Sequence, residues 1–268
     1  MGNFLNGGIL VLAVLLVCAV GTRAQTAKAA PGSPDKAIAA APVDLSGVWV
    51  SAARRPRTAD GKKNVSAEDD QADEFTYMHQ PYPLQPWAEE KFKYNTGEDG
   101  PYASGRNELN PALNTCSPQG PTIDWQFQSF PFEIIQSPKR VLIIFERNHE
   151  IRQMWIDGRE HPKDFGHNWM GHSIGHFEGT TLVADTVGLN DLTWLDHAGH
   201  VHSDQLHLIE KLDRPTPDKL VLHITFDDPK TFTKQWTAVK NFQLKPNWEL
   251  EEEILCEDKF IGHSIPLR

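Results

Sequence analysis

From residue 132 onward, the sequence is a succession of short segments rich in β-branched and aromatic residues. Turn-forming pairs such as Asp157-Gly158, Glu178-Gly179 and Asp228-Pro229 separate them. This spacing is typical of an antiparallel meander rather than of alternating strands and helices. The pattern predicts strands over residues 132–136, 141–147, 150–156, 171–178, 180–187, 204–212, 220–227, 234–244 and 248–256.

A further strand is predicted around Gly47, which follows a turn and precedes the apolar residues Val48 and Trp49. Together the strands are enough to close a sheet into a barrel, and closure removes exposed strand edges. A barrel of this size can hold one small ligand. The predicted fold class is therefore all-β, an antiparallel up-and-down β-barrel.

Residues 51–129 lie between the first strand and the others, and they are rich in proline. A segment of this length exceeds what a simple connector needs. Pro86 begins a stretch, residues 86–92, that predicts one short helix because proline is favoured at the first helical position. We interpret the segment as an irregular arm that lies over the barrel mouth as a lid.

The N-terminus predicts a secreted protein. Residues 9–20 are an uninterrupted apolar run, and small residues lead from it to Ala24, which is typical of a signal peptide over residues 1–24. An uncleaved anchor is the alternative, but the run is short for a membrane span. Residues 25–42 form an Ala/Pro-rich flexible spacer, residues 43–259 a single barrel domain, and residues 260–268 a tail. The expected location is periplasmic or extracellular, without stable membrane insertion after cleavage.

Without the leader, Cys116 and Cys256 are the two remaining cysteines. An even pair in an oxidising compartment predicts one disulfide, and two buried free thiols are the alternative. The chain also carries 36 acidic and 26 basic residues, for a net charge of −10. This balance disfavours nucleic acid as a partner and leaves a small molecule as the expected ligand.

Nine of the twelve histidines lie between residues 147 and 210, interleaved with aspartates and tryptophans. Imidazole titrates near neutral pH and carboxylates fix its tautomer, so the tract predicts general acid and base residues. The alternative is that the carboxylates, which flank turns, are caps and solvated charges. The candidate catalytic residues are His172, Asp191, Asp196, His202 and His207, with Glu210 as a further carboxylate.

Two histidine pairs have the spacing of metal ligands. His172 and His176 would meet only on a helix, which the surrounding glycines disfavour, and in a strand they stand about 13 Å apart. His200 and His202 share one face of an extended segment at about 6.6 Å. The second pair therefore predicts a site for one divalent transition metal, completed by Asp196 or His207. The alternative is that residues 196–202 form an exposed polar loop whose histidines face water.

Aromatic residues supply the remaining site candidates, because flat side chains can hold a ring or a sugar face. Trp169 and Trp194 lie in polar, turn-rich surroundings and are predicted ligand contacts, together with Trp155 and Ser203. Core packing is predicted for Trp49, Trp236 and Trp248. A buried, structural ion pair is predicted between Glu146 and Arg152 on facing arms of one hairpin.

The segment 44–49 resembles the Gly-x-Trp opening of lipocalin-like (calycin) barrels, in which the tryptophan closes one end of the barrel. The wider chain, over residues 44–257, resembles a family of uncharacterised secreted bacterial proteins. Residues 131–136, 157–162, 169–175 and 193–196 carry that resemblance. It implies a lipocalin-like barrel and no particular activity.

Several catalytic classes are excluded, because the sequence has no G-x-S-x-G elbow, phosphate-cradling glycine loop or dinucleotide fingerprint. The remaining hypothesis is acid/base or metal-assisted chemistry by a lyase, isomerase or hydrolase on a small aromatic or carbohydrate-derived molecule. The alternative is a non-catalytic small-ligand carrier or envelope binding protein.

Overall fold

The alternating segments form nine strands that close into one barrel in a computed structural model of the protein. The structure describes residues 41–52, 76–78, 81–97, 105–127 and 130–253, all within one compact unit. The strands are β1 Gly47–Ser51, β2 Phe132–Gln136, β3 Arg140–Phe145, β4 Ile151–Trp155, β5 His172–Glu178, β6 Thr181–Val187, β7 His207–Thr216, β8 Lys219–Asp227 and β9 Trp236–Leu244. The predicted signal peptide, residues 25–40 of the spacer and Cys256 lie outside the described residues.

Each strand pairs with its successor, and β1 closes the barrel against β9 through pairs such as Trp49 with Leu244. The prediction of a purely antiparallel barrel is wrong at one place, because β4 and β5 run parallel. A parallel pair needs a long crossover between its strands. Residues 156–171 supply this crossover. After it, β5 runs alongside the end of β4 in the same direction as β4.

The strand predicted over residues 248–256 is not formed in its described part. Residues 245–252 follow β9 as turns and irregular chain, and only Glu253 makes an isolated bridge, to Arg147. The edge of β9 is already paired with β1, so a tenth strand finds no free edge on its sequence neighbour. Trp248, predicted in the core, is 51% exposed for the same reason.

The predicted short helix is present as α1, Pro86–Thr96, and begins at the expected proline. A 3₁₀ helix, Asn107–Leu109, and the short helices α2, Pro111–Thr115, and α3, Pro121–Asp124, follow it. Buried contacts hold α1 in place, and the Trp87 indole N–H donates to the Lys230 carbonyl at 2.7 Å. Among the described residues, no helix is both long and apolar enough to span a membrane.

Large side chains fill much of the barrel interior. Trp125 packs edge-on against Phe132 and Phe145, with ring centroids 5.1 and 5.4 Å apart, and Phe226 stacks on Trp236 at 4.1 Å. Trp49 is fully buried and donates its indole N–H to the Leu45 carbonyl at 3.0 Å. Because large side chains fill much of the interior, the side chains that project outward from the barrel are also candidates for a functional site.

Candidate functional site

The outer face of three neighbouring strands carries a line of titratable residues. His172 on β5, Asp185 on β6 and His207 on β7 each alternate with a buried neighbour, so their side chains point away from the barrel interior. His161 comes from the crossover between β4 and β5 and lies over the same face. One sheet surface thus gathers three imidazoles around one carboxylate.

Hydrogen bonds join the four residues into one chain. Asp185 Oδ1 lies 2.9 Å from His161 Nε2, and its Oδ2 lies 2.9 Å from His207 Nε2. His161 Nδ1 in turn lies 2.8 Å from His172 Nδ1. We call this chain, His172, His161, Asp185 and His207, the histidine relay.

The relay fixes the tautomers of its imidazoles, since an ionised carboxylate only accepts hydrogen bonds. His161 must then donate from Nε2, and in its neutral form its Nδ1 accepts from the Nδ1–H of His172. This leaves the Nε2 of His172 without a proton, and none of the described residues bonds to it. When His172 takes up a proton there, the positive charge is stabilised through His161 by Asp185.

The electrostatics agree with these roles. Hydrogen bonds from His207 and His161 lower the pKa of Asp185, so this carboxylate stays ionised. The bond to Asp185 raises the pKa of His207. Partial burial, followed by His161 and Arg159, lowers the pKa of His172. Of His207 and His172, His172 is therefore the imidazole that is more readily kept neutral, as a general base requires.

A cavity of about 240 Å³ opens beside His172, where β4 and β5 diverge. Its apolar walls include Trp155, which was predicted as a ligand contact, as well as Phe165 and Met170. Phe165 packs edge-on against His172 with ring centroids 5.0 Å apart. The complete lining is Ile151, Arg152, Gln153, Trp155, Phe165, Met170, Gly171, His172 and Ser173.

Beneath this cavity, the barrel interior contains a fully buried ion pair between Arg152 and Glu210. Arg152 Nη1 donates to Glu210 Oε1 at 2.6 Å, and Nη2 donates to the Thr186 hydroxyl at 2.9 Å. The Trp125 indole N–H also donates to Glu210, at 2.7 Å. The predicted Glu146 partner is wrong: Glu146 instead accepts from the backbone N–H of Glu251 at 2.8 Å.

Asp196 and His200 lie in a separate buried cluster. The Asp196 carboxylate accepts from His200 Nδ1 and from the Tyr82 hydroxyl, both at 2.7 Å. The His200 ring is stacked on Phe92 at 3.6 Å and lies 3.8 Å from Tyr82. These contacts fasten α1 and the preceding segment to the barrel.

Tyr82→Phe tests that structural role. We expect it to lower the free energy of unfolding by about 1–3 kcal/mol, because it removes a donor from a buried carboxylate. Urea denaturation would measure the loss, with Tyr94→Phe on the exposed side of α1 as the matched control. Equal stability of both variants would contradict the role.

His202 and Ser203 are buried in a third group. Thr193 Oγ1 lies 2.7 Å from His202 Nε2, and His202 Nδ1 donates to the Ser203 carbonyl at 3.0 Å. Ser203 donates from both its backbone N–H and its hydroxyl to Asp228, at 2.7 Å each. Burial lowers the pKa of His202. Both nitrogens of His202 are thus committed to neutral hydrogen bonds.

The five predicted catalytic residues are therefore not gathered in one place. His172 and His207 share the histidine relay, Asp196 and His202 lie in two other groups, and Asp191 is exposed. His200 and His202 have separate partners and do not converge. No set of three or more His, Cys, Asp or Glu side chains among the described residues is arranged to hold a metal ion.

The other predicted ligand contacts differ in their surroundings. Trp169 precedes the cavity-lining Met170 without lining the cavity itself, and Trp194 is buried against the turn that contains Gly199. The disulfide between Cys116 and Cys256 stays a prediction, because Cys256 lies outside the described residues.

Sequence reasoning missed His161 and Asp185, which hold the relay together. Asp185 is the one charged residue of β6, and a lone carboxylate on the outer face of a predicted strand is a signal that could have been used. His161 lies in an irregular crossover and gave no comparable signal. Comparison with protein-family models, with curated proteins and with solved structures finds no match to this chain.

Proposed function

We propose that the protein is an enzyme that performs acid/base chemistry in the cavity between β4 and β5, with His172 as the general base. The observation that carries the proposal is the hydrogen-bond chain from Asp185 through His161 to His172, which ends at the cavity wall. Carriage of an inert ligand would not need such an oriented base.

The same relay provides the reverse step. When protonated His172 passes its Nδ1 proton to His161, both nitrogens of His161 become donors. His172 then accepts at Nδ1 and carries its remaining proton on Nε2. His172 Nε2 can therefore remove a proton from a substrate and return it, which is the chemistry that a lyase, an isomerase or a hydrolase needs. Trp155 and Phe165 offer flat apolar walls to an aromatic ring or a sugar face.

We propose that the barrel is lipocalin-like, supported by the Gly-x-Trp opening and by Trp49, whose buried indole N–H donates to the carbonyl of Leu45, two residues before β1. We also propose that the chain is secreted to the periplasm or beyond, on the evidence of its apolar leader, and that its partner is a small molecule. The alternative of a non-catalytic carrier is distinguished by the experiment below.

His172→Gln tests the enzymatic proposal. Small aromatic and sugar-derived compounds would be incubated with the protein in deuterated water, and NMR would follow both turnover and exchange of substrate C–H for deuterium. We expect His172→Gln to lower kcat/KM about 10²–10⁴-fold. His223→Gln, at an exposed position of β8, is the matched control and should leave the rate unchanged.

The pH profile supplies a second check. His172 acts as a base only when neutral, and its pKa is lowered, so activity should persist below the ordinary histidine pKa of about 6.5 and fall at still lower pH. Ligand-induced thermal stabilisation without turnover, equal in wild type and His172→Gln, would instead identify a carrier.

A further inference from the structure

One edge of β4 is open over its first three residues. In an antiparallel pair, successive residues alternate between bonding to the partner strand and pointing away from it. Phe145 N–H donates to the Glu150 carbonyl and Ile156 N–H to the Lys139 carbonyl, each at 2.9 Å. This phase directs the N–H groups and carbonyls of Ile151 and Gln153 away from β3.

Strand β5 covers only the far end of that edge. Its pairing with β4 is limited to Met154 with Ser173 and Trp155 with Ile174. Because Gln153 and Trp155 direct their backbone groups away from β3, Ser173 bonds to the Gln153 carbonyl and to the Trp155 N–H. The Ile151 carbonyl and the Gln153 N–H are left over, and no described residue bonds to either of them.

Gly171 explains why the ladder stops there. Its φ of +64° turns the chain away from β4 two residues before Ser173, where β5 begins to pair with β4. A Cβ at this position would lie 2.8 Å from the Val187 carbonyl oxygen, so the turn is packed tightly against β6 and is reserved for glycine. The gap between the strands is thus built into the fold.

The cavity of about 240 Å³ occupies this gap, with Ile151, Arg152 and Gln153 on one side and Met170 and Gly171 on the other. Ile151 is 59% exposed although it lies in a strand. An open strand edge bordered by apolar side chains is the arrangement by which sheets capture an extended backbone.

We propose that the ligand of this cavity carries an extended, peptide-like amide backbone that continues the parallel ladder of β4. One ligand residue would donate its N–H to the Ile151 carbonyl and accept from the Gln153 N–H, as Ser173 does one step further along. The smallest such ligand is an amino acid acylated at its nitrogen and amidated at its carboxyl group.

That this ligand is the substrate of His172 rests on the proposed function. Binding of the ligand does not depend on catalysis. In this ladder the side chain of the bonded ligand residue lies on the same face of the sheet as Arg152, and the side chains of its two neighbours lie on the outer face with Trp155 and His172. The ligand class thus becomes short peptides or N-acyl amino acid amides.

Amide hydrogen exchange of the full-length protein tests the binding. In the free protein, the Gln153 amide should exchange rapidly although it lies within a strand. A degenerate pool of N-acetylated, C-amidated tripeptides at millimolar total concentration should slow its exchange at least about tenfold. The same pool with N-methylated backbones cannot donate, and we expect it to give no protection.

Gln153→Pro provides the matching change in the protein, because proline removes an N–H that does not bond to β3. Because the proline variant has no amide at residue 153, the two variants are compared by the rise in Tm that the pool gives. Gln153→Pro should abolish that rise and Gln153→Val should retain it, and both variants lose the side-chain bond to Arg140. Should the proline variant fail to fold, the N-methylated pool on wild type answers the same question. Slow exchange of Gln153 in the free protein, or no protection by the pool, would overturn the inference.

His172→Gln separates this inference from the proposed function. Protection of Gln153 in wild type and in His172→Gln, with no tripeptide converted, would support the peptide site and contradict the enzyme. Conversion of a ligand without an amide backbone, with Gln153 unprotected, would support the enzyme and overturn the peptide site.

Discussion

Arg152→Met should lower the free energy of unfolding by about 3–5 kcal/mol, because it leaves the buried Glu210 without its charged partner. Both side chains are fully buried, and the guanidinium also donates to Ser173 at 3.3 Å and to Thr186 at 2.9 Å. Only the Trp125 indole and a weak bond from Thr186 would remain for the carboxylate. Urea denaturation of the two proteins measures the difference.

The double variant Arg152→Met/Glu210→Met distinguishes a lost partner from lost packing. It removes the unpaired charge, and we expect it to recover most of the stability that the single variant loses. Lys93→Met is the matched control: it breaks an exposed ion pair with Glu89 in α1 and should change the stability by less than about 1 kcal/mol. An effect of Arg152→Met as small as that of the control would contradict the structural role of the pair.

The same ion pair shows what the sequence could not decide. The pattern of β4 placed Arg152 inside the barrel, but the choice between Glu146 and Glu210 depends on which strands become neighbours across the interior. Glu146 is six residues away in sequence and Glu210 is 58 residues away. Local spacing favours the nearer carboxylate, whereas the closed sheet brings the distant one into contact.

Strand positions, in contrast, were predicted well because they depend on local alternation and turn residues. Eight of the nine strands predicted from residue 132 onward are present within a few residues of their expected bounds. The ninth is not formed in its described part, since pairing of β1 with β9 leaves it no edge on β9. The parallel β4–β5 pair was missed because an irregular crossover carries no periodic signal for the direction in which the chain returns.

The candidate site was predicted in part for a similar reason. The density of histidines pointed to the correct region, and His172 and His207 proved to be members of the relay. The tidy spacing of His200 and His202 was misleading, because a turn from Asp196 to Gly199 directs the two imidazoles to different buried partners. Composition can locate a titratable region, but hydrogen-bond partners follow from the sheet register.

Replacing His197 with phenylalanine should make the protein less sensitive to acid. Burial is the main reason why the pKa of His197 is lowered to about 3, and Arg147 and Lys240 lower it further while Asp196 raises it. Its Nε2 is buried without a hydrogen-bond partner among the described residues, and its ring lies 4.5 Å from that of Phe127. The folded protein therefore holds this imidazole in its neutral form.

The direction of the effect follows from proton linkage. Between about pH 3 and pH 6.5, the unfolded chain binds a proton at His197 and the folded chain does not, so the free energy of unfolding falls as the pH falls. The slope contributed by one such group is about 1.4 kcal/mol per pH unit in this window. Above the window, both states are neutral at this residue and the contribution is constant.

Urea denaturation at intervals from pH 4 to pH 8 would show the difference between His197→Phe and wild type. The comparison is needed because other groups titrate in the same range: burial lowers the pKa of His202, which adds a slope of the same sign, and raises the pKa of Asp124, which adds one of the opposite sign. His223→Phe, at an exposed position of β8, is the matched control and should leave the slope as it is. Parallel curves for His197→Phe and wild type down to pH 4 would contradict a neutral, buried His197.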